Sequence, residues 1–274
     1  MEPQREREEV GPEALLRGGT PDAALAALQA RVRGEPANPS LRVFLFQLLC
    51  VEGDWERARA QLKALGDLDA STLPLVQLYE AAVACEMLRR EVFAGTRTPL
   101  LLGEPPAWVA LLLQALVAET QGRRDEAAAL RATALEQANP VGGTIDGQAF
   151  DWIADADSRL GPVCETVIEG KYYWVPFERL RSIALEPPSD LRDFVWMPAQ
   201  LGLANGGEAS ALLPSRYPGS EADADGLIRL GRKTEWDEVA TDTFHGRGQR
   251  MLATDAGEYA LLTVRRIELA RPAA

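Results

Sequence analysis

The spacing of apolar residues divides the chain into two halves. From residue 12 to about 140, apolar positions recur three and four apart among Ala, Leu, Arg, Gln and Glu, the residues that lose least on entering a helix. Leu41, Phe44, Leu45, Leu48 and Leu49 mark a helix over Pro39–Val51, and Trp108, Leu111, Leu112, Ala115 and Leu116 mark another over Pro106–Gln121. The pattern repeats: Gly19, Ala24 and Leu28 return 34 residues later as Gly53, Ala58 and Leu62, and a third copy, Gly122 to Leu130, follows 69 residues after the second. A 34-residue period is that of a tetratricopeptide helix pair. The glycine ends the first helix, Asp or Pro beside it starts the second, alanine lets the two approach, and leucine fills the seam. One copy, centred near Met87-Leu88-Arg89-Arg90, is degenerate. Such pairs bury both faces only by stacking, so a helical solenoid is predicted.

Past the helix-stopping cluster Asn139-Pro140-Val141-Gly142-Gly143-Thr144 the period shortens to two. Val163–Ile168 and Tyr172–Phe177 flank Gly170-Lys171 as a hairpin. Phe194-Val195-Trp196 and Ala209–Leu213 flank Asn205-Gly206-Gly207 as a second. Met251–Thr254 and Tyr259–Leu269, joined by Asp255-Ala256-Gly257, form a third, with Tyr259, Leu261, Thr263, Arg265, Ile267 and Leu269 on one face. Short helices are expected at Phe150–Arg159 and Glu178–Ile183. The fold class is therefore α+β: a TPR-like α-α helical solenoid over 12–140, then a compact, mainly antiparallel α+β domain over 146–274. Residues 1–11 are expected to be disordered.

Composition narrows the function. With 29 basic and 41 acidic residues the net charge is -12, near -6 in each half, which opposes a nucleic-acid or anionic-lipid partner. Three dispersed cysteines and one histidine make neither a zinc set nor a disulfide framework. The charged N-terminus has no secretory-signal pattern, and the longest apolar stretch, Ala107 to Ala118, is too short to span a bilayer. The chain reads as soluble and cytoplasmic, in a reducing compartment.

No set of residues assembles an active site, and no cofactor or metal is predicted. Asp151, Asp155 and Asp157 are the densest carboxylate group, and a DxD pair can grip a divalent cation. No phosphate-cradling loop precedes them and no histidine base lies near, so capping turns and pairing with Arg159 or Arg192 is the better reading. His245 sits before Gly246-Arg247-Gly248, which lacks the rest of a phosphate loop. Cys164 lies in an apolar run and reads as core. Tyr172-Tyr173-Trp174 also reads as core rather than as a base-stacking platform, and Arg216-Tyr217-Pro218-Gly219 as a turn with an anchored arginine. The concave face of a solenoid suits an extended or helical peptide. Phe44, Gln47, Tyr79 and Trp108 are the candidates on that face, each equally able to be seam packing.

The second half also carries longer motifs. Phe150-Asp151-Trp152-Ile153-Ala154-Asp155-Ala156-Asp157-Ser158-Arg159-Leu160-Gly161-Pro162, Gly170–Phe177, Leu191-Arg192-Asp193-Phe194-Val195-Trp196, Leu213–Ser220 and Thr234-Glu235-Trp236 occur in that order. Together they resemble the signature of the ImpE family, also called SciE-type or TagJ. The resemblance implies a cytoplasmic, non-enzymatic accessory protein of the bacterial type VI secretion system. It further implies that the partner is the N-terminal helix of the small sheath subunit TssB, in systems where the disassembly ATPase ClpV acts. The residues it singles out, Asp155, Asp157, Arg159, Tyr173, Trp174, Arg192, Asp193, Trp196, Arg216 and Tyr217, are then a polar and aromatic framework. The competing readings are a generic repeat scaffold with an unrelated partner and, last, a metal-dependent enzyme built on Asp155 and Asp157.

Overall fold

A computed structural model of the chain describes residues 11–270, so the expectation for residues 1–11 lies outside it, apart from Gly11, which precedes the first helix. The helical half comprises α1 (Pro12–Arg17), α2 (Pro21–Gly34), α3 (Pro39–Val51), α4 (Trp55–Leu68), α5 (Leu73–Phe93), α6 (Ala107–Thr120) and α7 (Arg124–Gln137). Helices α1 and α2, α3 and α4, and α6 and α7 are packed pairs, as the repeat predicts. Ala24, Leu28, Ala58, Leu62 and Ala127, the repeated small and large residues, are fully buried.

Four helices share one stop. Gly19, Gly53, Gly95 and Gly122 all adopt a left-handed backbone, with φ of 76, 66, 69 and 77°. In each case the next residue donates its N–H five residues back, as Asp54 does to the Leu49 carbonyl and Thr96 to that of Glu91. Gly95 therefore closes the degenerate repeat, which is the single 21-residue helix α5. The second helix of that unit is missing. The chain instead runs extended from Thr96 into β1 (Leu100–Leu101).

That short strand joins the second half. A nine-stranded sheet has the order β1-β6-β5-β9-β8-β7-β14-β2-β3. Its members after β1 are β2 (Gly143–Ile145), β3 (Gln148–Phe150), β5 (Val163–Ile168), β6 (Lys171–Pro176), β7 (Leu180–Leu185), β8 (Trp196–Leu203), β9 (Glu208–Pro214) and β14 (Arg266–Leu269). β4 (Ile153–Asp155), β12 (Met251–Thr254) and β13 (Gly257–Ala260) form a three-stranded sheet, and β10 (Thr234–Ala240) pairs with β11 (Thr243–Gly248). A short helix, α8 (Gly226–Arg229), precedes β10. Pairing is antiparallel except for β1 on β6, where Leu100 faces Tyr173 and Leu101 faces Trp174. Side chains alternate across the large sheet: Val163, Val167, Trp174, Trp196 and Leu212 join the core of the helices, while Cys164, Val175, Met197, Ala199 and Leu213 join a second core on the other face.

Three local expectations fail for identifiable reasons. Phe150–Arg159 is not a helix: β3 ends there and β4 follows, and then Asp155 and Asp157 each accept the N–H two residues on, in turns that compete with helix. Glu178–Ile183 is a turn leading into β7. Leu180 and Ile183 mimic helical spacing because a register shift between Leu180 and Ser182 inserts an extra residue. Tyr259–Leu269 is not one strand but two, since a 3-10 turn at Leu261–Thr263 carries the chain from the small sheet to the large one.

Candidate functional site

The two halves meet along α5 and the ends of α3, and charged side chains are buried there. Arg89 on α5 forks onto Glu165 of β5, with Nε 2.7 Å and Nη2 3.1 Å from the two carboxylate oxygens. Arg250, immediately before β12, contacts the same carboxylate and also that of Asp155. The Tyr172 hydroxyl donates to Glu165 and receives the Trp174 indole N–H at 2.7 Å. Arg89 reaches on to the Arg216 carbonyl at 2.9 Å and to Glu86 at 3.3 Å, and Glu86 takes the Trp196 indole N–H at 3.0 Å. Burial pushes the Glu165 carboxyl up, but Arg89 and Arg250 overcome it and hold it at about 2. Burial raises Asp155 to about 6, with Arg250 opposing.

Arg216 caps α3. Its guanidinium donates to the carbonyls of Val51 at 2.8 Å and Cys50 at 3.1 Å, and to that of Arg229, so a cation sits at the negative end of the helix. The Trp196 ring lies 5.9 Å from Trp55 and 5.8 Å from Tyr79, and Arg192 stacks 4.8 Å over Tyr79 while pairing with Asp190. Asp193 accepts the Asp190 N–H at 3.2 Å in a capping box, and the Ser189 N–H at 2.6 Å as well. Arg159 forks onto Asp157, which also accepts the Gly246 N–H at 2.8 Å, and its guanidinium lies 5.2 Å from the Phe93 ring. Trp174 packs 5.9 Å from that ring, and Tyr217 lies against Trp236 with its hydroxyl taking the Met251 N–H at 2.9 Å. Tyr173 is half-buried against the second core.

The structure thus brings nearly all the sequence-singled framework residues into one seam, together with Glu86, Arg89, Glu165 and Arg250, which sequence reasoning missed. Glu165 carried a readable signal: it alternates with Val163 and Val167 on the face turned to the helices. The carboxylates of Asp155 and Asp157 are directed to different arginines, not to one shared point. Burial holds the Cys85 and Cys164 thiols at about 12, far from nucleophilic. His245, on β11, has its Nε2 3.1 Å from Glu119 of α6 without forming a hydrogen bond. Burial and Arg159 lower its pKa.

The four groove candidates lie mostly inside. Gln47, Tyr79 and Trp108 are buried and Phe44 is half-buried. For Tyr79 the cover is the C-terminal half, through Trp196 and Arg192. No described helix is long and apolar enough to cross a membrane.

Comparison with known proteins agrees with this architecture. Residues 147–268 match the family model of the ImpE protein, and residues 15–82 match that of the tetratricopeptide repeat. A solved structure, protein VPA1032 from Vibrio parahaemolyticus, superposes with a TM-score of 0.88 over 95% of this chain and 98% of that one, at 23% identity, which establishes the shared fold. The type VI secretion system accessory component TagJ of Pseudomonas aeruginosa is 54% identical over 256 residues, covering 93% of this chain and 90% of that protein. With a helical repeat, a signature-bearing sheet domain and a relative this similar along nearly its whole length, the chain belongs to the ImpE family.

Proposed function

We propose that this protein is a non-enzymatic, cytoplasmic accessory adaptor of a type VI secretion system. Its partner is the N-terminal helix of the small sheath subunit TssB, and its binding modulates sheath assembly or ClpV-linked recycling. The observation that carries the reading is the 54% identity to a type VI accessory component across nearly the whole of both chains. The seam supports a scaffold rather than a catalyst: its acids are engaged by arginines, and its thiols are held protonated by burial.

The test is a titration of the full chain against a fluorescent peptide covering the N-terminal helix of the sheath small subunit encoded in the same genome. Saturable binding that disappears when the peptide's apolar anchors are replaced by Asp is the expected result. No binding up to about 1 mM, roughly -4 kcal/mol, overturns the partner assignment.

A further inference from the structure

With Gln47, Tyr79 and Trp108 of the solenoid buried, Tyr79 under the second half, a helix needs another seat. The large sheet offers one. Its helix-side face is covered by α5 only in part: Arg89 reaches Glu165, and the Cys85 thiol donates to the Gly170 carbonyl at 3.3 Å. Leu78 extends the same α5 face, seven residues before Cys85, and is 48% exposed. It overhangs a groove of about 480 Å³ floored by β5, β9, β8 and β7.

The register gives the groove its pattern. Val167 pairs with Leu212 and Leu212 with Pro198, making an apolar row across three strands. Ser210, Gln200 and Ala184 form the neighbouring row, with Gln200 and Ser210 bonded to each other at 2.9 Å. Glu169 follows β5 and Glu186 follows β7, so an exposed carboxylate stands at each side of the floor. Among the described residues, no Lys or Arg lines the groove.

We infer that this groove, between Leu78 of α5 and the open face of β5, β9, β8 and β7, seats an amphipathic partner helix with an apolar stripe and a Lys or Arg near each end. The inference rests on the adaptor reading and locates its site. A helix is the occupant because all four floor strands already have neighbours on both sides, which leaves an extended peptide no ladder to join. Four strands span about 14 Å, which about ten residues of helix cover. Apolar anchors at i, i+3 or i+4, and i+7 then meet exposed Leu78 and Pro198 and half-buried Ala184, with Val167 and Leu212 buried beneath them. Charge complementarity sets the ends: carboxylates flank the groove on a chain of net charge -12.

The experiment titrates the full chain with two fluorescent probes. One is the sheath-subunit helix peptide, and the other is a designed three-turn amphipathic helix with Lys at both ends. Leu78→Asp changes an exposed side chain, so the fold should survive, which circular dichroism and the melting temperature check. It is expected to weaken both probes at least tenfold, while Leu68→Asp, on exposed Leu68 of α4, leaves them unchanged. Glu169→Lys with Glu186→Lys is expected to weaken the Lys-ended probe and to restore binding of a Glu-ended version. If the designed probe responds this way and the sheath peptide does not bind, the groove stands and the sheath assignment falls. If the sheath peptide binds equally to wild type and Leu78→Asp, the groove falls and the adaptor reading stands. If neither probe binds wild type, both fall.

Discussion

Helices α3 and α5 end in the same way and then part. Both stop at a left-handed glycine, Gly53 and Gly95, with the same backward hydrogen bond from the next residue. After Gly53, Asp54 accepts the Arg57 N–H and Trp55 opens α4, which packs on α3. After Gly95 come Thr96, Arg97, Thr98 and Pro99. Threonine is β-branched, and proline disfavours helix in the residue before it. The chain stays extended and delivers β1 to the sheet. What α3 receives from a second helix, α5 receives from β5 and β6, through Arg89, Cys85 and Phe93. The glycine sets only where a helix ends; the residues after it decide whether the repeat continues or the solenoid fuses to another domain.

If α5 depends on the sheet as α3 depends on α4, cutting its buried tie should be the most damaging change. Arg89→Leu removes the fork onto Glu165 and leaves Glu86 buried without that arginine. Breaking a buried pair by removing one partner costs about 3–5 kcal/mol, to be read as a lower urea midpoint. Arg57→Ala, which removes the exposed pair with Asp54 on α4, should cost under about 1 kcal/mol. Equal losses from the two would show that the seam contributes no more than a surface ion pair.

The same contrast explains which parts of the fold were legible. The α1–α2, α3–α4 and α6–α7 pairs were readable because each buries one face, so Ala24, Ala58 and Ala127 recur at fixed distances from a glycine stop. Helix α5 was not, because it meets helices on one side and a sheet on another, and polar Arg89 falls where a repeat would place an apolar residue. Of the strands announced by a turn, β5, β6 and β9 were found, but β8 begins only at Trp196, because Phe194 closes a 3-10 turn where a strand was expected. β4 was hidden by aspartates spaced like a helix face, and β7 by its bulge. Of the seam, the aromatic and acidic members were visible as family motifs, but Arg89 and Arg250 become meaningful only when residues 76 or more positions apart come together. The sheet-side groove had no signature, since its apolar floor also reads as ordinary strand interior.

A smaller test separates the two kinds of helix stop. Gly122 has a left-handed backbone, with nothing within 4 Å of where a Cβ would stand, so Gly122→Ala should cost about 1 kcal/mol from backbone strain alone. At Gly95 the added Cβ would lie 3.1 Å from the Val117 Cα, in α6, besides the same strain. Gly95→Ala should therefore cost about 2 kcal/mol, with the difference seen as a lower thermal midpoint. Equal costs would mean that α5 and α6 can separate at that point without penalty.

The finest distinction concerns how α6 meets the second half, where the junction includes a titratable ring in place of a buried arginine fork. His245 has its pKa lowered by burial and then by Arg159, with Asp157 and Glu119 pulling the other way and Arg131 adding to the lowering. Well above the ordinary histidine value, about 6.5, the ring is neutral whether the chain is folded or not, and pH makes no difference. Below it the unfolded chain takes up a proton that the folded one resists, so this group's contribution to stability is lost as pH falls. Asp155, raised to about 6, has the opposite sign in an overlapping range, because there the folded state binds the proton first. Comparing wild type with His245→Gln at each pH cancels the aspartate and leaves the histidine. Urea unfolding at pH 7.5, 6.5 and 5.5 should show the variant gaining on wild type as pH drops, by less than either glycine change. A gap that does not vary with pH would mean that the ring takes up protons as freely in the fold as in the open chain, and that the α6 junction is solvated where the α5 seam is dry.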